Sequence, residues 1–134
     1  MSAHEHINPD SMAPARGYTH IVVPTDGRTV YLSGQIASDS TGVVTGETFA
    51  EQYDEAMGNV VTALAAAGGQ PEHVVSLVVY TTSMQAYRDD LAGVGAAHRH
   101  HLGRHYPAMA MLGVTELFEP DAMVEIVAVA VIPE

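Results

Sequence analysis

The segment Met123-Val124-Glu125-Ile126-Val127-Ala128-Val129-Ala130-Val131-Ile132 holds a single ionisable group. A carboxylate at the edge of an otherwise apolar strand is either held by partners or placed for chemistry. Glu125 therefore has two readings. It can act as a general acid/base or as an anchor for an attacking water. Equally, it can be a structural carboxylate bonded to backbone N–H groups or to a neighbouring subunit. Tyr18, at the start of an apolar run, can donate its hydroxyl to a ligand, and the same place suits a ring in the core with a wet hydroxyl. Ser33 lies in Ser33-Gly34-Gln35, not in a Gly-x-Ser-x-Gly elbow, and no base is paired with it. It can hydrogen-bond a ligand but is not expected to be a nucleophile.

His98, His101 and His105 fall at i, i+3 and i+7, a spacing that puts imidazoles on one helix face and can bind zinc. Two features oppose that reading. Gly103 ends the helix before His105, and the face is an apolar stripe, where a histidine is a hydrogen-bonded core residue. No metal is expected. His4 and His6 are expected to be solvated in a loose lead-in. Met109 and Met111 can form a soft apolar wall for a ligand or pack in the core, and Met123 is expected in the core. The acidic run Glu116, Glu119 and Asp121 is expected in a solvated loop.

Bulk properties exclude several classes. Five Arg and no Lys stand against 16 Asp plus Glu, a formal net charge of −11. Phosphate-gripping proteins need a cationic patch, so no nucleic-acid partner is expected. The absence of cysteine removes disulfides, thiolate nucleophiles and Cys-based zinc sites. No apolar run reaches the roughly 18 residues of a membrane span. The first residues have neither a basic end nor an apolar core, so no secretory signal and no membrane partner are expected, and a cytoplasmic location is the default. At 134 residues the chain reads as one domain, 1–134, with residues 1–15 a flexible lead-in.

The elements that must position these residues follow from periodicity. Residues 18–23 and 29–33 read as strands joined at Pro24-Thr25-Asp26-Gly27, where Asp-Gly is a hairpin signal. A short strand is expected at Val43-Val44. Thr48-Phe49-Ala50-Glu51 is a capping box. It opens a helix with an apolar face at Tyr53, Ala56, Met57, Val60, Leu64 and Ala67, closed by Gly68-Gly69. Residues 74–81 read as a strand. Ser83 caps a second helix, about residues 85–102, with its stripe at Tyr87, Leu91, Val94 and Leu102. Residues 108–114 and 123–132 complete the order ββ(β)αβαββ.

Two helices cover only one face of such a sheet. Yet residues 74–79 and 124–132 are apolar on both faces, the mark of two-sided burial. A symmetric homo-oligomer is the simplest cover for the second face.

This order, with Ser33-Gly34-Gln35, Thr41-Gly42, Tyr106-Pro107-Ala108 and the Val124–Val131 run, resembles the RidA family, also called YjgF or the L-PSP "endoribonuclease" family, from about Pro14 to Ile132. The resemblance implies an α+β, chorismate-mutase-like two-layer sandwich with a mixed sheet and two helices on one face. It also implies a homotrimer with small-molecule clefts between subunits and no cofactor. Archetypal members hydrolyse 2-imino acids, or their enamine tautomers, to 2-keto acids and ammonia. Glu125 and Tyr18 would then be catalytic, and Ser33, Gly34, Met109 and Met111 would bind substrate.

The family's carboxylate-binding Arg is replaced here by Met109, its pocket Cys by Met111, and the Asn common near the start of the second helix is absent. An Arg fork on a carboxylate is worth about 1.5–3 kcal/mol, and Met has no donor. The expectation is a hydrolase or deaminase acting on an imine, enamine or related C=N compound other than a standard 2-imino acid, with a pocket suited to a neutral or cationic ligand. Arg16 is a remote candidate to replace the missing cation. The alternative is a non-catalytic trimer that binds a metabolite or a protein.

Overall fold

Alternating burial along the strands organises the computed structural model, which describes residues 2–134. In chain order the elements are β1 (Glu5–Ile7), β2 (Ile21–Val23), β3 (Gly27–Gln35), α1 (Phe49–Ala66), a 3-10 turn (Pro71–His73), β4 (Val74–Thr81), α2 (Met84–Asp89), α3 (Leu91–Leu102), β5 (Ala108–Gly113) and β6 (Val124–Pro133). The fold is α+β, with a mixed four-stranded sheet ordered β3-β6-β4-β5. β6 runs antiparallel to both β3 and β4, and β4 and β5 are parallel.

The first helix forms as its local signals require. The Thr48 side chain accepts from the Glu51 N–H at 3.2 Å, and the Glu51 carboxylate accepts from the Glu47 N–H at 2.9 Å. At the other end Gly68 takes φ +86°, open to glycine at no steric cost. The Gly69 N–H then reaches the Leu64 carbonyl and the Gly68 N–H reaches that of Ala65, a Schellman closure. Met57, Val60 and Leu64 of α1 and Val94, Ala97 and Leu102 of α3 pack with Leu77, Val79, Ile126 and Ala128 in one core on one face of the sheet.

Several expectations are corrected. The second helix breaks in two at Asp90, whose carboxylate accepts from the Gly93 N–H at 3.0 Å and caps α3. A short acidic side chain that can bond the backbone ahead of it favours a new N-terminus over continuation. The expected hairpin across Asp26-Gly27 does not form: β2 pairs with β1 and β3 pairs with β6. Val44 contributes a single bridge to Ser38 and no strand. Within the expected loose lead-in, of which residue 1 lies outside the described residues, Glu5–Ile7 is the strand β1.

His4 is buried, not solvated. The Thr25 N–H donates to its Nδ1 at 3.1 Å, so Nε2 carries the proton and donates to the Val131 carbonyl at 3.0 Å. His6 sits with its Nδ1 3.2 Å from the Thr19 hydroxyl and its ring edge-on to His105. His98 and His105 are likewise buried and bond backbone carbonyls, of His105 (2.8 Å) and Val74 (2.7 Å) respectively. His101 pairs instead with Asp54 at 2.9 Å. Among the described residues no three His, Cys, Asp or Glu side chains form a metal-holding group.

Burial, the leading cause in both cases, holds the pKa of His98 and His105 below the ordinary value of 6.5. The unfolded chain takes up these protons as pH falls through about 6.5, while the folded protein resists them. Their contribution to stability is therefore complete above that pH and is lost below it. The melting temperature should fall between about pH 7 and pH 5, and less steeply in His98→Gln. Equal slopes for the two proteins would show that His98 is not one of the groups responsible.

Candidate functional site

Strand register decides which predicted site residues can meet. Glu125 stands opposite Tyr80 across β6 and β4, on the face away from the helices, as do Val127 opposite Val78 and Val129 opposite Ser76. Along β3 the pairing steps from Leu32 opposite Ala128 to Gln35 opposite Ile126, so Ser33 and Gly34 form a bulge. Bulges re-aim side chains and recur beside functional sites. Here the bulge brings the Gly34 backbone against Glu125. A Cβ at Gly34 would lie 2.8 Å from the carboxylate carbon, 2.9 Å from Cγ and 3.0 Å from Oε1. Ser33 and Gly34 are exposed, and Glu125 is half-buried. Ser33, Gly34 and Glu125 are thus gathered at one place.

Met109 is not there. It pairs with Leu77 across β5 and β4, on the helix-covered side, and Met111 pairs with Val79 on the same side. Within one protomer Met109 and Glu125 lie on opposite faces of the sheet, so a single protomer does not bring them together. The cause is side-chain alternation: a strand presents i and i+2 to one face, and the pairing of β5 and β6 through β4 puts these two out of phase. Met111 packs against the hydrophobic core.

Met109 instead lines a cavity of about 310 Å³ between the helices and the N-terminal end of β5. Tyr53 of α1, Tyr87 of α2, Tyr106 ahead of β5, Arg16 and Arg99 also line it. Tyr106 stacks on His98, rings 4.8 Å apart and 5° from parallel. Burial pushes the Tyr53 phenol well above its ordinary pKa, so it is a neutral hydrogen-bonding group. Tyr18 is half-buried with its ring edge-on to His20. The next residue, Thr19, donates its N–H to the Pro107 carbonyl at 3.1 Å, which ties the segment to the start of β5. Tyr18 shares no hydrogen bond with Ser33, Gly34 or Glu125 among the described residues.

Along the sequence Tyr53 and Tyr87 stand out only as stripe residues and Tyr106 only within the Tyr106-Pro107-Ala108 motif, and Arg99 is unmarked. A signal was present. An apolar helix stripe built on Tyr carries hydroxyls that need partners, and two helices presenting them toward one strand end can frame a cavity.

The comparisons agree with this architecture. The family model described as Endoribonuclease L-PSP matches residues 8–132, and the chain belongs to that family. Among solved structures it is similar to YyfB from Yersinia pestis, a protein of unknown function of the conserved Rid family, with 28% identity over 96% of this chain and 98% of that one and a TM-score of 0.87. It is also similar to RidA from an Antarctic Psychrobacter species, with 30% identity, 96% and 99% coverage and a TM-score of 0.68. A YjgF/YER057c/UK114 family member from Mycobacterium tuberculosis shows 29% identity, 87% coverage of each chain and a TM-score of 0.65. No curated protein matches. No helix among the described residues is long and apolar enough to cross a membrane.

The contact at the bulge is testable. Gly34→Ala must displace the end of the Glu125 side chain, which is flexible and half-buried, so the cost should be modest, about 1 kcal/mol or less. In a Glu125→Ala background both the carboxylate and Cγ are gone, so most of that cost should vanish. A double-mutant cycle by urea denaturation measures the coupling; strictly additive effects would mean that the two residues do not compete for space.

Proposed function

We propose that this protein is a RidA-type hydrolase acting on an imine, enamine or related C=N compound other than a standard 2-imino acid. The observation that carries the reading is the approach of Glu125 to the bulge at Ser33-Gly34. A half-buried carboxylate beside an exposed backbone segment and a hydroxyl can hold a water between them. Glu125 takes a proton as that water attacks the C=N carbon and passes it to the nitrogen. It then takes the proton of the new hydroxyl and passes that on as well, so the C–N bond breaks and ammonia leaves as the carbonyl forms. Ser33 and the Gly34 backbone, with Tyr18, orient the substrate. No step calls for a cofactor.

The split of Met109 and Glu125 across the sheet gives this reading a structural requirement. A site using both needs the Met109 edge of one subunit against the Glu125 face of another. A homotrimer with clefts between subunits meets it. The helix-free face also carries the apolar side chains that such packing needs. Tyr31 is 80% and Leu112 46% exposed, and Val78, Val127 and Val129 are half-buried.

A second reading, a non-catalytic trimer that binds a metabolite or a protein, is favoured by Met109, which offers a ligand no donor. Ribonuclease chemistry, despite the family's name, has little support in a chain with a net charge of −11.

Ammonia release separates the readings. Wild type should act slowly on 2-iminobutanoate, and Met109→Arg should raise that rate about tenfold or more. Glu125→Gln should abolish turnover of any C=N substrate found, with its melting temperature little changed. Mixing Met109→Arg with Glu125→Gln subunits should give oligomers with partial activity if the site is shared. Full turnover in Glu125→Gln would sink the hydrolase mechanism, and a monomer in sedimentation would sink the shared cleft.

A further inference from the structure

The Met109 cavity has a charge character that the substitution at position 109 alone does not convey. Five Arg serve the whole chain against 16 acidic residues. Two of those five, Arg16 and Arg99, line this one cavity, and no Asp or Glu does. Neither Arg has an ion-pair partner among the described residues. Two exposed guanidinium groups without ion-pair partners, in a protein otherwise strongly acidic, make the potential at this cavity locally positive.

Arg99 folds back one helical turn, so that Nη1 lies 3.3 Å from where a Cβ on Gly95 would be. Glycine inside a helix costs about 0.5–1 kcal/mol relative to alanine, and at Gly95 its absent side chain leaves room for the guanidinium beside the cavity.

A second observation is independent of charge. Tyr53 is 1% exposed, and its hydroxyl has no hydrogen-bond partner among the described residues. Tyr53 is one of the residues that line the cavity. A buried hydroxyl without a protein partner needs one from a ligand or from water. The remaining walls are the rings of Tyr87 and Tyr106 and the thioether of Met109, flat and polarisable surfaces suited to an aromatic or unsaturated body. A cavity of about 310 Å³ is the size of a small-molecule site.

We propose that this cavity binds a small carboxylate with a flat apolar or aromatic body. The carboxylate lies on Arg16 and Arg99, the body lies between the tyrosines and Met109, and the Tyr53 hydroxyl bonds a polar atom of the ligand. The anion is thus held by the helix side and the N-terminal segment, not by position 109. On this proposal the ligand is an anion displaced from the family's usual place, in contrast to the neutral or cationic ligand that Met109 alone suggests. The proposal concerns binding and stands apart from whether Glu125 performs chemistry.

The probes are phenylacetate and indole-3-acetate, each titrated calorimetrically against its own amide, which has the same body without the charge. The full chain should bind at least one acid about tenfold or more tightly than its amide. Arg16→Gln and Arg99→Gln change exposed residues, so both should fold as wild type does, and each should lower affinity for the acid several-fold and leave the amide unmoved. Tyr53→Phe should weaken binding further. Equal affinity for acid and amide, no saturable binding of either acid, or unchanged affinity in the Arg16→Gln/Arg99→Gln double variant would overturn the proposal. Full turnover in Glu125→Gln with the acid still preferred over its amide would overturn the hydrolase reading alone, and equal affinity for acid and amide with turnover still dependent on Glu125 would overturn this one alone.

Discussion

β6 lies between β3 and β4, antiparallel to both, and most of the molecule is arranged to satisfy it. Its inner face, Val124, Ile126, Ala128 and Ala130, is fully buried under the helices. Its outer face, Glu125, Val127 and Val129, is only half-covered. A strand with apolar residues on both faces fixes its pairing strongly, because a slip by one residue would exchange the small inner alanines with the outer valines. That register places Glu125 opposite Tyr80 and beside the bulge. Where β6 runs on past Ala130, the last residue paired with Val74, the buried His4 takes up the Val131 carbonyl. The N-terminal segment is thereby drawn onto the sheet edge. Its attachment is a hydrogen-bond requirement of β6, since buried carbonyls are rarely left unpaired.

The histidines form one set with that purpose. His4, His98 and His105 each use Nε2 on a backbone carbonyl at the end of an element: Val131 in β6, His105 after α3, and Val74 at the start of β4. Neutral imidazole suits this role, because one nitrogen donates and the ring packs as an apolar plate. A side chain that could have carried metal chemistry instead closes the ends of the fold.

The parts legible in the sequence are those whose causes are local. Thr48, Glu51 and Gly68-Gly69 bracket α1 within a few residues of where they act, and the apolar runs of β4 and β6 state their own burial. Asp90 was hidden because the stripe Tyr87, Leu91, Val94 continues through it at helical spacing, although an acidic residue three before Gly93 is itself a cap signal. The hairpin signal Asp26-Gly27 misled because β2 found a partner earlier in the chain and β3 found β6, pairings set by the whole sheet. For the site, the sequence marked Glu125, Ser33, Gly34 and Met109, yet not their separation. The phase between Met109 and Glu125 depends on the registers of β5 with β4 and of β4 with β6, and no local pattern carries either. Tyr53, Tyr106 and Arg99 were overlooked for the same reason: they become neighbours only when α1, α3 and the N-terminal end of β5 converge.

A substitution in a pocket takes its meaning from the other groups that reach the same space. Considered along the strand, Met109 removes a guanidinium fork from a family position, and a loss of anion affinity follows. Considered in the cavity, Met109 faces Arg16 and Arg99, which approach from the N-terminal segment and from α3. A Met thioether is short of donors but soft and adaptable, so it leaves the strand side of the cavity apolar, while Arg16 and Arg99 give the same cavity positive charge. An Arg at 109 would add a third guanidinium to the lining of one cavity, and like charges that share a space disfavour one another. The loss of one cation at the strand and the presence of two unpaired cations across from it are therefore physically compatible, and each makes the other less costly.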